Sequence, residues 1–207
     1  MVKQIKHPLI NIKLSRMRNK LTDYRDFKSN LKTLAQLMAY ELTRNLKTKA
    51  IKIDTPLAPT NGYAFERDIV LIPILRAGLG MVDCFLEMIP QGKVGFIGMY
   101  RNEKTLKPVE YYCKMPDSIH SADVIVLDPM LATGNSLVAA IELIQRKFKP
   151  HSISAACVVS APEGVKLVNK KLPKINVYVC AIDKKLNEHG YIVPGLGDAG
   201  DRIFGTK

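Results

Sequence analysis

The residues with the densest chemical content are 124–136, which read Val-Ile-Val-Leu-Asp-Pro-Met-Leu-Ala-Thr-Gly-Asn-Ser. Apolar residues lead straight into the carboxylate of Asp128. A short polar loop follows, and residues 137–144 have the pattern of a helix. Amides and hydroxyls at such a strand-to-helix turn donate to phosphate oxygens, and the helix N-terminus adds a favourable dipole. Thr133, Gly134, Asn135 and Ser136 are placed to wrap a phosphate. Asp128 carries the same sign of charge as a phosphate, so its partners are hydroxyls or a metal. A phosphorylated sugar meets both requirements. A lone Asp-x-Thr-Gly is equally an ordinary turn with a helix cap. The whole string is far more specific.

Three further segments carry chemistry. Arg76-Ala-Gly-Leu-Gly80 follows the apolar run 69–75. A guanidinium beside small residues suits a diphosphate, because the backbone approaches closely and Arg forks onto oxygens. Gly98-Met-Tyr-Arg-Asn-Glu103 places Arg101 on a charged segment that could close over an anion. Residues 188–206 contain Gly190, Gly195, Gly197, Gly200 and Gly205, too many for a plain helix or strand. Main-chain N–H and C=O groups there can read a flat heterocycle with alternating donors and acceptors. His189 lacks an acid partner in sequence and reads as a surface or structural histidine rather than a base.

These segments need a frame. Residues 69–75, 93–99, 124–127, 152–159 and 177–182 are apolar runs without strict alternation. Helix patterns at 135–147 and 163–172 separate the later ones. That rhythm predicts a parallel sheet covered on both faces, an α/β fold. Ligands of such sheets bind outside the carboxyl ends of the strands, where Arg76 and Asp128 fall. Residues 100–115 are charged and predict an antiparallel hairpin. Pro8 is tolerated in the first turn of a helix over 8–20. An amphipathic stripe over 23–46 predicts a second helix whose apolar face is core or subunit interface. Pro56, Pro59 and Gly62 mark a loop. The 207 residues are expected to form one domain, with a helical extension over 1–50 and a glycine-rich terminal segment over 183–207.

Composition removes several function classes. No apolar run approaches the ~20 residues that span a bilayer. The N-terminus lacks a leader-like apolar core. Cys84, Cys113, Cys157 and Cys180 form no CxxC pair, so reduced thiols and a cytoplasmic setting are expected, with Cys157 and Cys180 as small core residues. The net charge is +12, and residues 1–52 hold 13 Lys and Arg against 3 acids. No aromatic residues interleave with that basic quarter in the manner of single-strand binders, so it reads as a solvated helical surface rather than a nucleic-acid site. No Ser-His or Cys-His pair suggests covalent catalysis.

In this order, the four segments resemble the uracil phosphoribosyltransferase family, from His7-Pro8-Leu9 to Phe204-Gly205-Thr206-Lys207. The strings Pro-Ile-Leu-Arg-Ala-Gly-Leu-Gly80, Met-Tyr-Arg-Asn-Glu103, Asp-Pro-Met-Leu-Ala-Thr-Gly134 and Tyr-Ile-Val-Pro-Gly-Leu-Gly-Asp-Ala-Gly-Asp201 carry the resemblance. It implies a type I phosphoribosyltransferase core with a C-terminal hood, and synthesis of UMP from uracil and phosphoribosyl diphosphate. Mg²⁺ is implied as the cofactor, carried by the diphosphate substrate and not held directly by the protein. By the resemblance, Asp128, Arg101 and Asp198 are the catalytic set. The phosphoribosyl diphosphate site comprises Arg76, Arg101, Asp128, Pro129, Met130, Leu131, Ala132, Thr133, Gly134, Asn135, Ser136 and Asp198. Within it Asp128 holds the ribose 2′ and 3′ hydroxyls, residues 132–136 bind the 5′-phosphate, and both arginines neutralise diphosphate. Ile192, Gly197, Asp198 and Ala199 read uracil, and Asp198 also reaches the phosphoribosyl side through Mg²⁺ or water. A cis peptide is implied near Arg76-Ala77.

Relatives carry a second Gly where this chain has Asn135. Asn tolerates φ > 0 and caps helices, so binding is expected to be retained, with the Asn135 amide touching phosphate. The family also implies a homo-oligomer, dimer or larger, and in some members a GTP effector. Rival readings are an RNA-binding regulator on the same fold and a purine-specific homologue. A kinase is disfavoured by the missing Gly-x-x-x-x-Gly-Lys-[Ser/Thr] loop.

Overall fold

The computed structural model describes residues 1–101 and 108–206. Its central sheet grows from the apolar runs. In β4 (Ile69–Leu75), Ile69 and Leu71 point into one hydrophobic cluster, while Val70, Ile72 and Ile74 point into another. β8 (Asp123–Leu127) divides likewise, with Ile125 and Leu127 on one side and Val124 and Val126 on the other. Both faces are buried, so the period-two pattern needs no polar residues. Truncating fully buried Ile72 to Ala would cost about 2–5 kcal/mol.

Before β4 the chain runs through β1 (Val2–Gln4), α1 (Pro8–Arg18), α2 (Tyr24–Thr43), β2 (Thr48–Asp54) and β3 (Pro59–Phe65). Between β4 and β8 lie α3 (Leu79–Met88), β5 (Lys93–Val94), β6 (Phe96–Arg101) and β7 (Pro108–Lys114). After β8 come β9 (Met130–Leu131), α4 (Asn135–Lys147), β10 (Ser152–Ser160), α5 (Pro162–Lys171) and β11 (Asn176–Ile182). The chain continues through β12 (Lys185–Leu186), β13 (Ile192–Val193) and α6 (Ala199–Phe204).

The main sheet has the order β1-β11-β10-β8-β4-β6-β7, with β5 beside β4 and β9 beside β10. Its pairings are parallel except β6 with β7; the hairpin expected within 100–115 is here an edge pair of Phe96–Arg101 with Pro108–Lys114, not an insertion between sheet strands. From β4 the chain moves to β6 on one side, then returns to place β8 on the other. The reversal opens a crevice at the carboxyl ends of β4 and β8. Arg76 and Asp128 stand there.

Helices cover both faces. In α1, Pro8 occupies the first turn, the Leu9 N–H donates to Nδ1 of the cap residue His7, and Ile10, Leu14 and Met17 are buried. Asp23 caps α2 by accepting from the Asp26 N–H at 2.8 Å. Phe27, Leu31, Leu34, Met38 and Leu42 turn inward, so the stripe over 23–46 is core of this chain, and the helix ends at Thr43. α4 buries Leu137, Val138, Ile141 and Ile144 on the opposite face. Cys157 and Cys180 are buried core residues, and burial pushes the Cys180 thiol up to about 12.

Two local expectations fail. Residues 1–50 are not wholly helical, because β1 pairs in parallel with β11 at the sheet edge. Of residues 56–62, only 56–58 lie in a turn, and 59–62 are strand. β2 and β3 form an antiparallel hairpin in which Pro59 opens β3 and Gly62 pairs with Ile51. Proline is tolerated at the first position of a strand. Every residue of β2 is exposed, so the hairpin has no buried stripe for the sequence to display. Among the described residues, no helix is long and apolar enough to cross a membrane.

Candidate active site

Asp128 follows β8 directly. Its N–H donates to the Ala156 carbonyl at 3.1 Å, and its Oδ1 accepts from the Met130 N–H at 3.1 Å. Burial pushes the carboxyl up from 3.8 to about 6, opposed by the Met130 hydrogen bond. The chain then sidesteps. The Pro129 carbonyl accepts from the N–H groups of Val158 and Val159, and Met130 and Leu131 rejoin the ladder as β9.

Ala132, Thr133, Gly134, Asn135 and Ser136 form the turn into α4. Gly134 is the cap residue, with φ +83° and no side chain to satisfy the first helical amides. With no side-chain cap, the first-turn amides beyond Asn135 are open to an external acceptor. Gly134 and Gly164 pack together. A Cβ on Gly134 would lie 3.1 Å from the Gly164 carbonyl, and one on Gly164 would lie 2.5 Å from the Ala132 carbonyl. The left-handed position is thus Gly134, not Asn135. Asn135 begins α4, is exposed, and donates its N–H to Thr133 Oγ1 at 3.4 Å. The reason offered for Asn at this position, tolerance of positive φ, does not apply.

Arg76 follows β4 across a cis peptide, Leu75–Arg76, one bond upstream of the expected place. Its guanidinium is mostly exposed and lies 3.4 Å from Asp201 Oδ1. Gly78 lets the next turn press onto β8, since a Cβ there would sit 2.2 Å from the Leu127 carbonyl. Arg101 ends β6. Its side chain, with Asn102 and Glu103, lies outside the described residues.

The C-terminal segment supplies the facing wall. Ile192 is buried in β13, Val193–Pro194 is a second cis peptide, and Gly195 and Gly197 have φ of +60° and +73°. Asp198 caps α6 by accepting from the Asp201 N–H at 3.0 Å, and Ala199 begins that helix. His189 is exposed and lies 3.4 Å from Glu188.

Two cavities join these parts. One, of about 250 Å³, is lined by Ala77, Asp128, Met130, Ala132, Gly190, Tyr191, Ile192, Gly197, Asp198, Ala199 and Gly200. The other, of about 60 Å³, is lined by Asp128, Met130, Leu131, Ala132, Thr133, Gly134, Ser136 and Leu137. Asp128, Met130 and Ala132 belong to both, so a carboxylate stands where the pocket lined by the α4 turn meets the one lined by the C-terminal segment. A cleft of about 560 Å³ lies on the other side of the C-terminal wall, lined by Arg18, Gly195, Gly197 and Arg202, and one of about 470 Å³ lies elsewhere; neither contains Asp128 or the α4 turn. Of the expected residues, Arg76, Pro129 and Asn135 line neither small cavity. Ala77 and Tyr191 line the larger one without having been assigned a role, and Gly190 and Gly200, marked only as part of the glycine-rich segment, line it too. Among the described residues, no group of three or more His, Cys, Asp or Glu side chains could hold a metal ion. The larger cavity offers two carboxylates, Asp128 and Asp198, a set suited to a hard cation that arrives with most of its oxygen ligands already supplied.

A family model for uracil phosphoribosyltransferase matches residues 4–206. The uracil phosphoribosyltransferase of Malacoplasma penetrans is 57% identical over 201 residues, covering 97% of each chain. Among solved structures, the AQ2163 protein of Aquifex aeolicus superposes with a TM-score of 0.93 at 35% identity, over 99% of this chain and 98% of that one. A hypoxanthine phosphoribosyltransferase from Staphylococcus aureus shares the fold, with a TM-score of 0.52 at 16% identity over 77% of this chain and 76% of that one.

Proposed function

The chain belongs to the uracil phosphoribosyltransferase family, and on that premise we propose that it converts uracil and phosphoribosyl diphosphate to UMP and diphosphate, a pyrimidine-salvage reaction. One observation carries the assignment of parts. The pocket lined by the α4 turn and the one lined by the C-terminal segment meet at Asp128. A nucleoside monophosphate has the same order: phosphate, then ribose, then base.

In this reading the α4 turn holds the 5′-phosphate through the amides of its first turn and the hydroxyls of Thr133 and Ser136. Asp128 accepts hydrogen bonds from the ribose 2′ and 3′ hydroxyls, for which its ionised form is needed. With the carboxyl at about 6, Asp128 is ionised at neutral pH. Main-chain groups of Ile192, Gly197 and Ala199, with Asp198, face the uracil edge. Arg76 and Arg101 sit at strand ends where the diphosphate leaves. Mg²⁺ arriving with the substrate would add neutralisation of the diphosphate charge, and Asp128 and Asp198, the two carboxylates lining the larger cavity, are the residues that would meet it.

The chemistry exchanges one bond for another. The C1–oxygen bond to diphosphate breaks, and its electron pair leaves with the oxygen. The bond from uracil N1 to C1 forms, and the N1 proton is released. Catalysis is then positioning plus stabilisation of charge, without a covalent intermediate on the protein. The homo-oligomer implied by the family gains support from the β2–β3 hairpin, where Leu57 and Tyr63 are 97% and 77% exposed.

The test is incubation with uracil, phosphoribosyl diphosphate and Mg²⁺, with UMP scored against cytosine, hypoxanthine and orotate controls. UMP formed from uracil alone is expected. Turnover of hypoxanthine but not uracil would overturn the reading.

A further inference from the structure

The wall proposed to face uracil is held from behind by residues that do not touch the cavity. Its tightest point is Gly195, where a Cβ would lie 2.0 Å from the Ile192 carbonyl. Both polar groups of that residue are engaged by one ion pair. The Gly195 N–H donates to Asp183 Oδ2 at 2.9 Å, and the Gly195 carbonyl accepts from Arg18 Nη1 at 2.9 Å. Arg18 and Asp183 are joined by two hydrogen bonds, Nη1 to Oδ2 at 2.8 Å and Nη2 to Oδ1 at 2.6 Å. The Asp183 side chain is only 5% exposed and that of Arg18 24%. The next residue is also held. The Leu196 carbonyl accepts from Arg202 Nη1 at 2.9 Å, and Arg202 further donates to the carbonyls of Met17, Asn19 and Thr22 while lying 4.3 Å from the Phe27 ring centroid.

These bonds converge on the end of α1 and the turn into α2. The C-terminal wall is therefore mounted on the N-terminal helices. A buried ion pair gains little net stability for its own sake, since desolvation offsets attraction. Here its remaining hydrogen-bonding capacity is directed at the two main-chain groups of a single glycine. The planar fork of Arg suits that task, because one guanidinium meets a carboxylate on two nitrogens and still reaches a carbonyl. Lys has a single donor centre and cannot reproduce the fork.

We infer that the Arg18–Asp183 pair is a positioning element for the base, fixing the Gly195 peptide and through it the main-chain groups of Ile192 and Gly197–Ala199. The inference rests on the proposed reaction, in which those groups read uracil. Recognition by main chain demands placement within about 0.5 Å, so a loosened Gly195 weakens base binding first. The phosphate turn between β8 and α4 is built on other elements and is left in place.

Steady-state kinetics with each substrate varied in turn test this on Arg18→Lys and Asp183→Asn. The KM for uracil is expected to rise about tenfold, the equivalent of one charge-assisted hydrogen bond, while the KM for phosphoribosyl diphosphate stays within about twofold. In the double variant Arg18→Lys/Asp183→Asn, the effects on uracil KM should fall well short of multiplying. Amide hydrogen exchange at Gly195 and Leu196 should accelerate. Equal rises in both KM values would overturn the inference, as would a lowered Tm with uracil KM unchanged. If Asp183→Asn does not fold, Arg18→Lys carries the test alone, since it keeps the charge, and an unaltered uracil KM there is refutation. Wild-type protein that makes no UMP overturns the proposed function. Active wild type with unaffected variants overturns the positioning claim alone.

Discussion

Replacing Asp128 by Asn is expected to make the protein more stable and less active at once. The carboxyl is raised from 3.8 to about 6 because burial disfavours its charge. Below pH 3.8 it is protonated in both folded and unfolded chains and costs nothing. Between 3.8 and about 6 the folded chain keeps the proton and the unfolded chain has lost it. Stability therefore falls as pH rises through that window, and the full penalty is present above it. At about 1.4 kcal/mol per pH unit the penalty has an upper bound of about 3 kcal/mol, and solvent in the open cavity reduces it to about 1–3 kcal/mol. Asn keeps an oxygen for the Met130 N–H and carries no charge, so Asp128→Asn is spared the penalty. Urea unfolding at pH 7.5 should show the variant about 1–3 kcal/mol more stable, with the gap shrinking to about 1 kcal/mol or less at pH 4.5. Activity moves the other way. Losing charge-assisted acceptance from the ribose hydroxyls lowers kcat/KM for phosphoribosyl diphosphate by roughly 10- to 100-fold. Wild-type kcat/KM should climb through about pH 6, and the variant's profile should lack that limb. A stability gap that ignores pH, or a variant less stable at pH 7.5, would refute the argument that burial sets the state of Asp128.

Other substitutions separate the parts of the site. Gly164→Ala brings a Cβ within 2.5 Å of the Ala132 carbonyl and should displace the phosphate turn. Overpacking of about 1–3 kcal/mol predicts a KM for phosphoribosyl diphosphate raised about tenfold, with uracil KM held within about twofold. Asn135→Gly should leave both KM values within about twofold, because the positive φ belongs to Gly134, and should lower stability by only about 0.3 kcal/mol through helix propensity. A large fall in the KM for phosphoribosyl diphosphate would mean instead that Asn135 obstructs the turn. Arg101→Ala should lower kcat/KM by more than about tenfold if its charge meets the departing diphosphate, and unchanged kinetics would remove it from the mechanism.

What was legible in the sequence follows from how far each cause reaches along the chain. The limits of β4 and α4 were readable because burial on both faces, or on one stripe, writes itself into neighbouring residues. Asp128 and Gly134 were readable because a strand end, a left-handed glycine and a helix start occupy adjacent positions. The β2–β3 hairpin escaped notice because it buries almost nothing, so neither hydrophobic period marks it. Arg18, Asp183 and Arg202 escaped for the opposite reason. Each ties the tail down through a partner more than a hundred residues away, as Arg18 does for Asp183 or Arg202 for Met17. Locally, Arg18 is one more cation in the last turn of α1, where the helix dipole already favours it. The glycine-rich tail announces main-chain recognition but not its own shape, because glycine leaves the backbone free. That freedom must be removed by contacts from elsewhere if the tail is to present donors and acceptors in fixed order. The end of α1 and the turn into α2 supply them, so in this fold the shape of the last residues is anchored in the first.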